Sequence, residues 1–157
     1  MIHVGVAEWK IARAPDALRT TLGSCAGIVL YNAQEKVGGL AHILLAEPPG
    51  GKIAARGKYA TSAIPDVVEE LKKKTGLSLF TARIFGGASM FDTFHSRFLQ
   101  NIGDDNVKVS REVLAKLNIP VIMEDVGGTL GRSITVYMDD GRVLLRTNGK
   151  EKYVYKA

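Results

Sequence analysis

Short apolar segments separated by turn residues recur along this chain, and they constrain its fold more than any other feature of the sequence. Turn signals separate several of them, including residues 32–36, an Asp-Asp-Gly turn and Asn148-Gly149. The pattern predicts about seven or eight strands, two of which would pair as a hairpin. The segments with the length and composition of strands are IHVGVAEW, AGIVLYN, VGGLAHILL, LFTARIF, VIMEDV, SITVYM, VLLRT and KYVY.

Two further segments have the periodicity of amphipathic helices. The first would begin at Thr61 or Ser62, carry Pro65 in its first turn and end at Gly76. The second fits residues 106–118. Each presents one apolar face, formed by Ile64, Val67, Val68 and Leu71 in the first helix and by Val109, Val113, Leu114 and Leu117 in the second.

The length and composition predict one domain, 1–157, of the α+β or mixed α/β class, in which strands dominate. A chain of 157 residues with 46% apolar residues can bury a core without disulfides or metal. The opening segment MIHVGVAEWK has no basic stretch followed by an apolar one, and no apolar run approaches the length of about 18 residues that a bilayer requires. We therefore expect a cytoplasmic protein that does not insert into a membrane.

The charged residues argue against a nucleic-acid ligand. The net charge is +5, and the 21 Lys and Arg residues are spread along the chain, with Lys72-Lys73-Lys74 as the only run. Nucleic-acid binding usually requires a clustered basic stripe with aromatic platforms. We expect a solvated basic surface, which would favour an acidic partner.

Cys25 is the only cysteine, which excludes an intramolecular disulfide and a zinc site with several cysteines. It follows Gly23 and Ser24 in TTLGSCAGIVL, where a tight turn meets a predicted strand. A thiol at such a junction can be exposed while its backbone amide points into the same pocket, as an oxyanion hole requires. The alternative is a buried core cysteine, because free cysteine is among the most buried residue types.

His42 lies in the second strand of the predicted hairpin, so an antiparallel return can bring it beside Cys25. A neighbouring imidazole favours the thiolate, and the two side chains are a plausible nucleophile and base. The alternative is a buried histidine bonded to backbone. His3 and His95 are weaker candidates, and the spacing of the three histidines fits no metal site.

Six motifs occur in the same order as in the bacterial chemotaxis family CheD, which the chain resembles over nearly its whole length: TTLGSC, GGLAH, GKYA, RIFGGASMF, NIGDDNV and EDVGGTLGRS. The most specific are LGSC, with His42 following Cys25 by seventeen positions, and FGGASMF. The resemblance implies a chemoreceptor glutamine deamidase with a Cys, His and Thr catalytic set and no metal or organic cofactor. It also implies a fold similar to the catalytic domain of the cytotoxic necrotizing factors, with sandwiched mixed sheets and helices outside.

By position, the resemblance makes Cys25 the nucleophile, His42 the base and Thr20 the third catalytic residue. Thr20 lies five residues before the cysteine, and Thr21 is the alternative. Adjacent residues on a strand point to opposite faces, so only one of the two can face the site. Substrate contacts or oxyanion stabilisation are expected from Gly23, Ser24, Gly86, Gly87, Met90 and Phe91.

Two functions compete at this point. A deamidase would act on the cytoplasmic helices of methyl-accepting chemoreceptors through a thioester on Cys25. A non-catalytic regulatory module would instead act by binding the CheC phosphatase, and it would tolerate loss of the thiol. We also expect substrate and CheC to compete for one surface around Cys25, formed by residues 85–91 and 101–106. A structural protein with a core cysteine is the third possibility, and its thiol would resist alkylation.

Overall fold

The structure, a computed structural model, describes residues 1–52, 55–89 and 97–154. These residues form ten strands in two five-stranded sheets, together with two α-helices and two short 3₁₀ turns at Pro49–Gly51 and Arg56–Lys58. In chain order the elements are β1 (Ile2–His3), β2 (Trp9–Arg13), β3 (Ala17–Leu22), β4 (Ala26–Asn32), β5 (Val37–Ile43), α1 (Ala60–Thr75), β6 (Thr81–Gly86), α2 (Arg97–Lys116), β7 (Val121–Val126), β8 (Arg132–Tyr137), β9 (Val143–Thr147) and β10 (Lys150–Val154).

Both sheets are mixed. The first has the strand order β1, β3, β8, β9, β10, and the second has the order β2, β5, β4, β6, β7. One pair in each sheet is parallel, β1 with β3 and β6 with β7, and the other pairs are antiparallel. The mixed α+β class expected from the sequence is therefore confirmed.

The elements pack as three layers, first sheet, second sheet and helices, with an apolar cluster at each of the two interfaces. The cluster between the sheets includes Leu18, Leu22, Val29, Leu40, Phe85, Ile134, Val136 and Leu145. The cluster between the second sheet and the helices includes Ile28, Leu30, Ile43, Ile64, Val67, Leu71 and Leu114. Alternate residues of β4 contribute to each cluster, which explains why this strand is a continuous apolar run. Cys25 belongs to the cluster between the sheets.

Several predicted elements are confirmed. Strands β4 and β5 form the expected hairpin, with Ala26 opposite Ile43 and Asn32 opposite Val37. Gly76 ends α1 in the left-handed conformation, with φ of 72°.

Other predictions were wrong. The opening segment is two strands in different sheets, because the chain crosses between the sheets at a turn where Ala7 has a φ of 64°. Helix α1 begins at Ala60, so Pro65 lies inside the helix rather than in its first turn. Helix α2 begins at Arg97, nine residues earlier than expected. Neither helix, within the part of the chain that the structure describes, is long and apolar enough to span a bilayer.

Candidate active site

Cys25 lies in the segment 23–25, which crosses from the end of β3 in the first sheet to the start of β4 in the second. The backbone of this crossing is held tightly, because each of its three consecutive carbonyls accepts a hydrogen bond from a distant part of the chain. The donors are the Ala88 N–H to Gly23 at 3.0 Å, the Asn106 Nδ2 to Ser24 at 3.0 Å and the Gly87 N–H to Cys25 at 2.8 Å. The position of the Cys25 backbone is therefore set by the β6–α2 connection and by α2.

Gly86 must be glycine because its backbone lies too close to the Cys25 backbone for a side chain. Its φ is 98°, and a Cβ atom there would lie 2.3 Å from the Cys25 carbonyl oxygen. The Gly87 N–H is already engaged by the Cys25 carbonyl in this conformation.

Some of the expected contact residues cannot be placed on a surface. Met90 and Phe91 lie outside the described residues, as does His95. Phe85 and Asn106 are fully buried. A docking surface over residues 85–91 and 101–106 therefore cannot include the side chains of these two.

His42 lies on β5 directly opposite Gly27 of β4. Cys25 lies one residue before β4 and belongs to the apolar cluster between the sheets, and His42 contacts Thr20 of the first sheet, so both side chains point into the space between the sheets. Both side chains are largely buried, with 9% of Cys25 and 3% of His42 exposed. Within the described part of the chain no hydrogen bond joins the thiol to the imidazole, and such bonds are often loose before substrate binds.

Thr20 fixes the protonation of the imidazole. Its Oγ1 lies 2.7 Å from the backbone carbonyl of Val4 and 2.7 Å from Nδ1 of His42. A carbonyl only accepts, so the single hydroxyl proton is donated to Val4. The hydroxyl oxygen must then accept from His42, which places the imidazole proton on Nδ1 and leaves a lone pair on Nε2. A histidine in this tautomer can act as a base through Nε2.

Thr21 points elsewhere. Its hydroxyl is 2.9 Å from Ser133 Oγ of the neighbouring strand, in an exposed setting, whereas Thr20 is 1% exposed. The two threonines are adjacent on β3, so the alternation of side chains sends them to opposite faces. Of the two, Thr20 is the one in contact with His42.

The environment keeps both candidate catalytic groups uncharged at neutral pH. Burial raises the pKa of the Cys25 thiol, while its own backbone N–H acts in the opposite direction. Burial lowers the pKa of His42, and the charge of His3 lowers it further, against smaller effects of the Val4 carbonyl and Glu8. The resting state is therefore a thiol beside a neutral imidazole, and proton transfer has to accompany the attack.

One cavity lies next to this site rather than over it. It has a volume of about 540 Å³ and lies between residues 45–49 and α2, and neither Cys25 nor His42 lines it. Asn106 does line it and also contacts the Cys25 segment. No group of three or more metal-binding side chains occurs in the part of the chain that the structure describes.

Sequence reasoning missed two groups at this site. The Val4 carbonyl is a backbone atom, so no residue type signals its role. Asn106 lies in the segment 101–106 that the sequence placed around Cys25, but the sequence did not indicate its bonds to the backbone of residues 24 and 44.

Comparison with known proteins decides the family. A family model described as CheD chemotactic sensory transduction matches residues 44–147. A protein of Caldanaerobacter subterraneus subsp. tengcongensis is 42% identical over 154 residues, covering 95% of this chain and 94% of that protein. The chain belongs to the CheD family.

Other CheD relatives extend the match across lineages. A protein of Desulforamulus reducens is 39% identical over 151 residues, covering 94% of this chain and 91% of that protein. A protein of Methanococcus maripaludis is 34% identical over 155 residues, covering 98% of this chain and 99% of that protein. All three relatives are named probable chemoreceptor glutamine deamidase CheD. The CheD model begins just after His42. The alignment with the Desulforamulus reducens protein covers 94% of this chain, however, so it must include residues between Thr20 and His42.

Proposed function

We propose that this protein is a chemoreceptor glutamine deamidase in which Cys25 is the nucleophile, His42 the base and Thr20 the residue that orients the imidazole. The observation that carries the proposal is the hydrogen-bond chain from Val4 through Thr20 to His42, which leaves Nε2 free to accept a proton. The substrate class comes from the names of the CheD relatives.

The reaction begins with the attack of Cys25, which proton transfer to His42 accompanies. His42 Nε2 takes the proton of the Cys25 thiol, and the thiolate attacks the side-chain carbonyl carbon of a receptor glutamine. The carbonyl oxygen becomes an oxyanion, for which the Cys25 backbone N–H is the candidate donor, because it belongs to the same residue as the nucleophile. A donor of this kind contributes about 3 to 4 kcal/mol in other hydrolases.

The second half of the reaction reverses the proton flow. Protonated His42 donates to the amide nitrogen, the carbon–nitrogen bond breaks and ammonia leaves a thioester on Cys25. Water then gives its proton to the imidazole and attacks the thioester, which releases glutamate and restores the thiol. The imidazolium formed between these steps is stabilised at Nδ1 by the Thr20 oxygen, with the Val4 carbonyl beside it.

The neutral resting state of both groups fits this cycle, in which proton transfer accompanies the attack. Because the imidazole is neutral at rest, it is ready to accept a proton, and because the thiol is neutral, no ion pair has to be separated before substrate binds. All of the groups belong to the chain, so the proposed reaction uses no metal or organic cofactor. The receptor glutamines would lie on cytoplasmic helices, which makes the cytoplasm the expected compartment.

The direct test is to incubate a receptor cytoplasmic fragment with the wild-type protein, Cys25→Ala and His42→Ala, and to follow conversion of glutamine to glutamate by peptide mass spectrometry. We expect conversion only with the wild type, while circular dichroism shows that both variants are folded. Turnover close to wild type in either folded variant would refute the proposed roles.

We also propose, from the resemblance to the family, that the CheC phosphatase competes with the receptor at this site. A purified CheC homologue titrated into the same assay should then raise the apparent KM for the fragment without changing kcat. Confirmed binding with no inhibition would place CheC on another surface. If the Cys25→Ala protein still regulates CheC, docking and catalysis are separate functions of one protein.

A further inference from the structure

Asn106 links the two segments that carry the candidate nucleophile and base. It lies in α2, it is fully buried, and its Nδ2 donates to two backbone carbonyls, each at 3.0 Å. One belongs to Ser24, the residue before Cys25, and the other to Leu44, two residues after His42. A single side-chain amide of α2 thus bonds to both segments that lie just beyond the last pair of the hairpin.

The orientation of this amide is unambiguous. Both contacted groups are carbonyls, which only accept, so the NH₂ group must face them and Oδ1 must face away. Oδ1 is buried and has no hydrogen-bond partner among the described residues. Leaving a buried acceptor unpaired costs stability. The side chain is therefore placed so that its two donated hydrogen bonds form, although Oδ1 stays unpaired among the described residues.

The location of these bonds matters because the β4–β5 ladder stops short of the nucleophile. The last paired residues are Ala26 and Ile43, so Cys25 lies just outside the ladder. The Asn106 amide spans the gap there, bonding to position 24 on one side and to position 44 on the other. It thereby holds together the two segments that lie just beyond the ladder.

Helix α2 is well placed to act as a fixed support. At Gly103, one turn before Asn106, a Cβ atom would lie 2.5 Å from the Gly87 carbonyl oxygen. The Gly87 N–H in turn holds the Cys25 carbonyl. The helix is thus docked against the Cys25 segment by close backbone contact, and the Asn106 side chain extends that contact to the end of β5.

We infer that Asn106 is a positioning residue that sets the distance and orientation between the Cys25 and His42 side chains. The inference rests on the proposed deamidase function for its catalytic consequence. Asn106 touches no reacting atom, so its loss should act on kcat and leave substrate binding almost unchanged. A displacement of about 1 Å between reacting groups can cost about 100-fold in rate.

The test compares Asn106→Ala and Asn106→Asp with Leu114→Ala. The aspartate keeps the side-chain shape but replaces the donor with an oxygen that faces both carbonyls. Leu114 is a fully buried core residue of the same helix, two turns further on, so its truncation weakens helix packing without removing a bond to either catalytic segment. All variants are assayed well below their melting temperatures, by backbone hydrogen exchange and by steady-state deamidation of the receptor fragment.

We expect both Asn106 variants to lose about tenfold or more of their exchange protection in residues 23–26 and 43–46 together, and to lose about 100-fold in kcat with KM within threefold of wild type. Leu114→Ala should do neither. Unchanged protection in these two segments, or equal loss in Leu114→Ala, would overturn the inference even if the wild type showed no turnover. Loss of exchange protection with full kcat would overturn the positioning role alone. An inactive wild type would refute the proposed function, and hydrogen exchange would then still test whether Asn106 links residues 23–26 with residues 43–46.

Discussion

Thr20→Val removes one hydroxyl from the site while keeping nearly the same shape. In the folded protein that hydroxyl donates to the Val4 carbonyl and accepts from Nδ1 of His42, in both cases at 2.7 Å. The substitution leaves two buried polar groups without their partner. Each such loss costs about 1 to 3 kcal/mol, so we expect the free energy of unfolding to fall by about 2 to 6 kcal/mol.

The catalytic effect follows from the tautomer. Without the Thr20 oxygen, the imidazole proton is no longer held at Nδ1, and the Nε2–H tautomer has no lone pair directed at the thiol. One hydrogen bond of about 1 to 1.5 kcal/mol corresponds to roughly tenfold in rate. The nearby Val4 carbonyl can take over part of this interaction, so we expect kcat to fall by about tenfold rather than more.

The assay measures kcat on a receptor fragment, together with the ¹⁵N chemical shifts of His42, which distinguish the two tautomers. Thr21→Val is the matched control, since it removes the neighbouring hydroxyl, which bonds to Ser133 in an exposed setting. Thr20→Ser should recover most of the activity because it restores the hydroxyl. The reasoning is refuted if Thr20→Val keeps kcat within threefold of wild type, or if Thr21→Val loses more than Thr20→Val.

Two further predictions follow from the same site. Gly86→Ala should reduce kcat at least tenfold, because its Cβ would lie 2.3 Å from the Cys25 carbonyl oxygen. Gly127 has a φ of 81° and no atom within 4 Å of an added Cβ, so Gly127→Ala should lower stability without affecting kcat. Equal activity of the two variants would contradict this. Because burial, and then the charge of His3, lowers the pKa of His42, kcat/KM should stay high until the pH falls below about 6.5. Because His42 binds a proton less readily in the folded state than in the unfolded state, the free energy of unfolding should decrease as the pH falls through the same range. His3→Gln should move the acid limb of the kcat/KM profile to higher pH, and a shift to lower pH would show that the assigned coupling is wrong.

The sequence predicted the elements whose apolar pattern is local. Strands β4 and β5 are bounded by turn residues and have continuous apolar content, so their pairing could be inferred. The opening segment IHVGVAEW has a local apolar alternation, yet residues 2–3 join the first sheet and Trp9 joins the second. Its division depends on long-range bonds, such as that of the Ala7 N–H to the His42 carbonyl, which no local pattern encodes.

The site was predictable to a similar extent. The preference for Thr20 over Thr21 rested on strand alternation and spacing, and the structure brings Thr20 to His42. The Val4 carbonyl could not be found in this way because any residue supplies a carbonyl. Asn106 could not be found either, because its contacts with residues 24 and 44 depend on how α2 packs on the second sheet.

The central claim is that Cys25 forms a covalent intermediate with the receptor glutamine. It is tested most directly by quenching the reaction in acid during turnover and mapping the Cys25 peptide by mass spectrometry. The account predicts a receptor peptide joined to Cys25 with loss of ammonia, removable by hydroxylamine and absent from Cys25→Ala. Deamidation that proceeds with an unmodified Cys25, or that persists in Cys25→Ala, would contradict it.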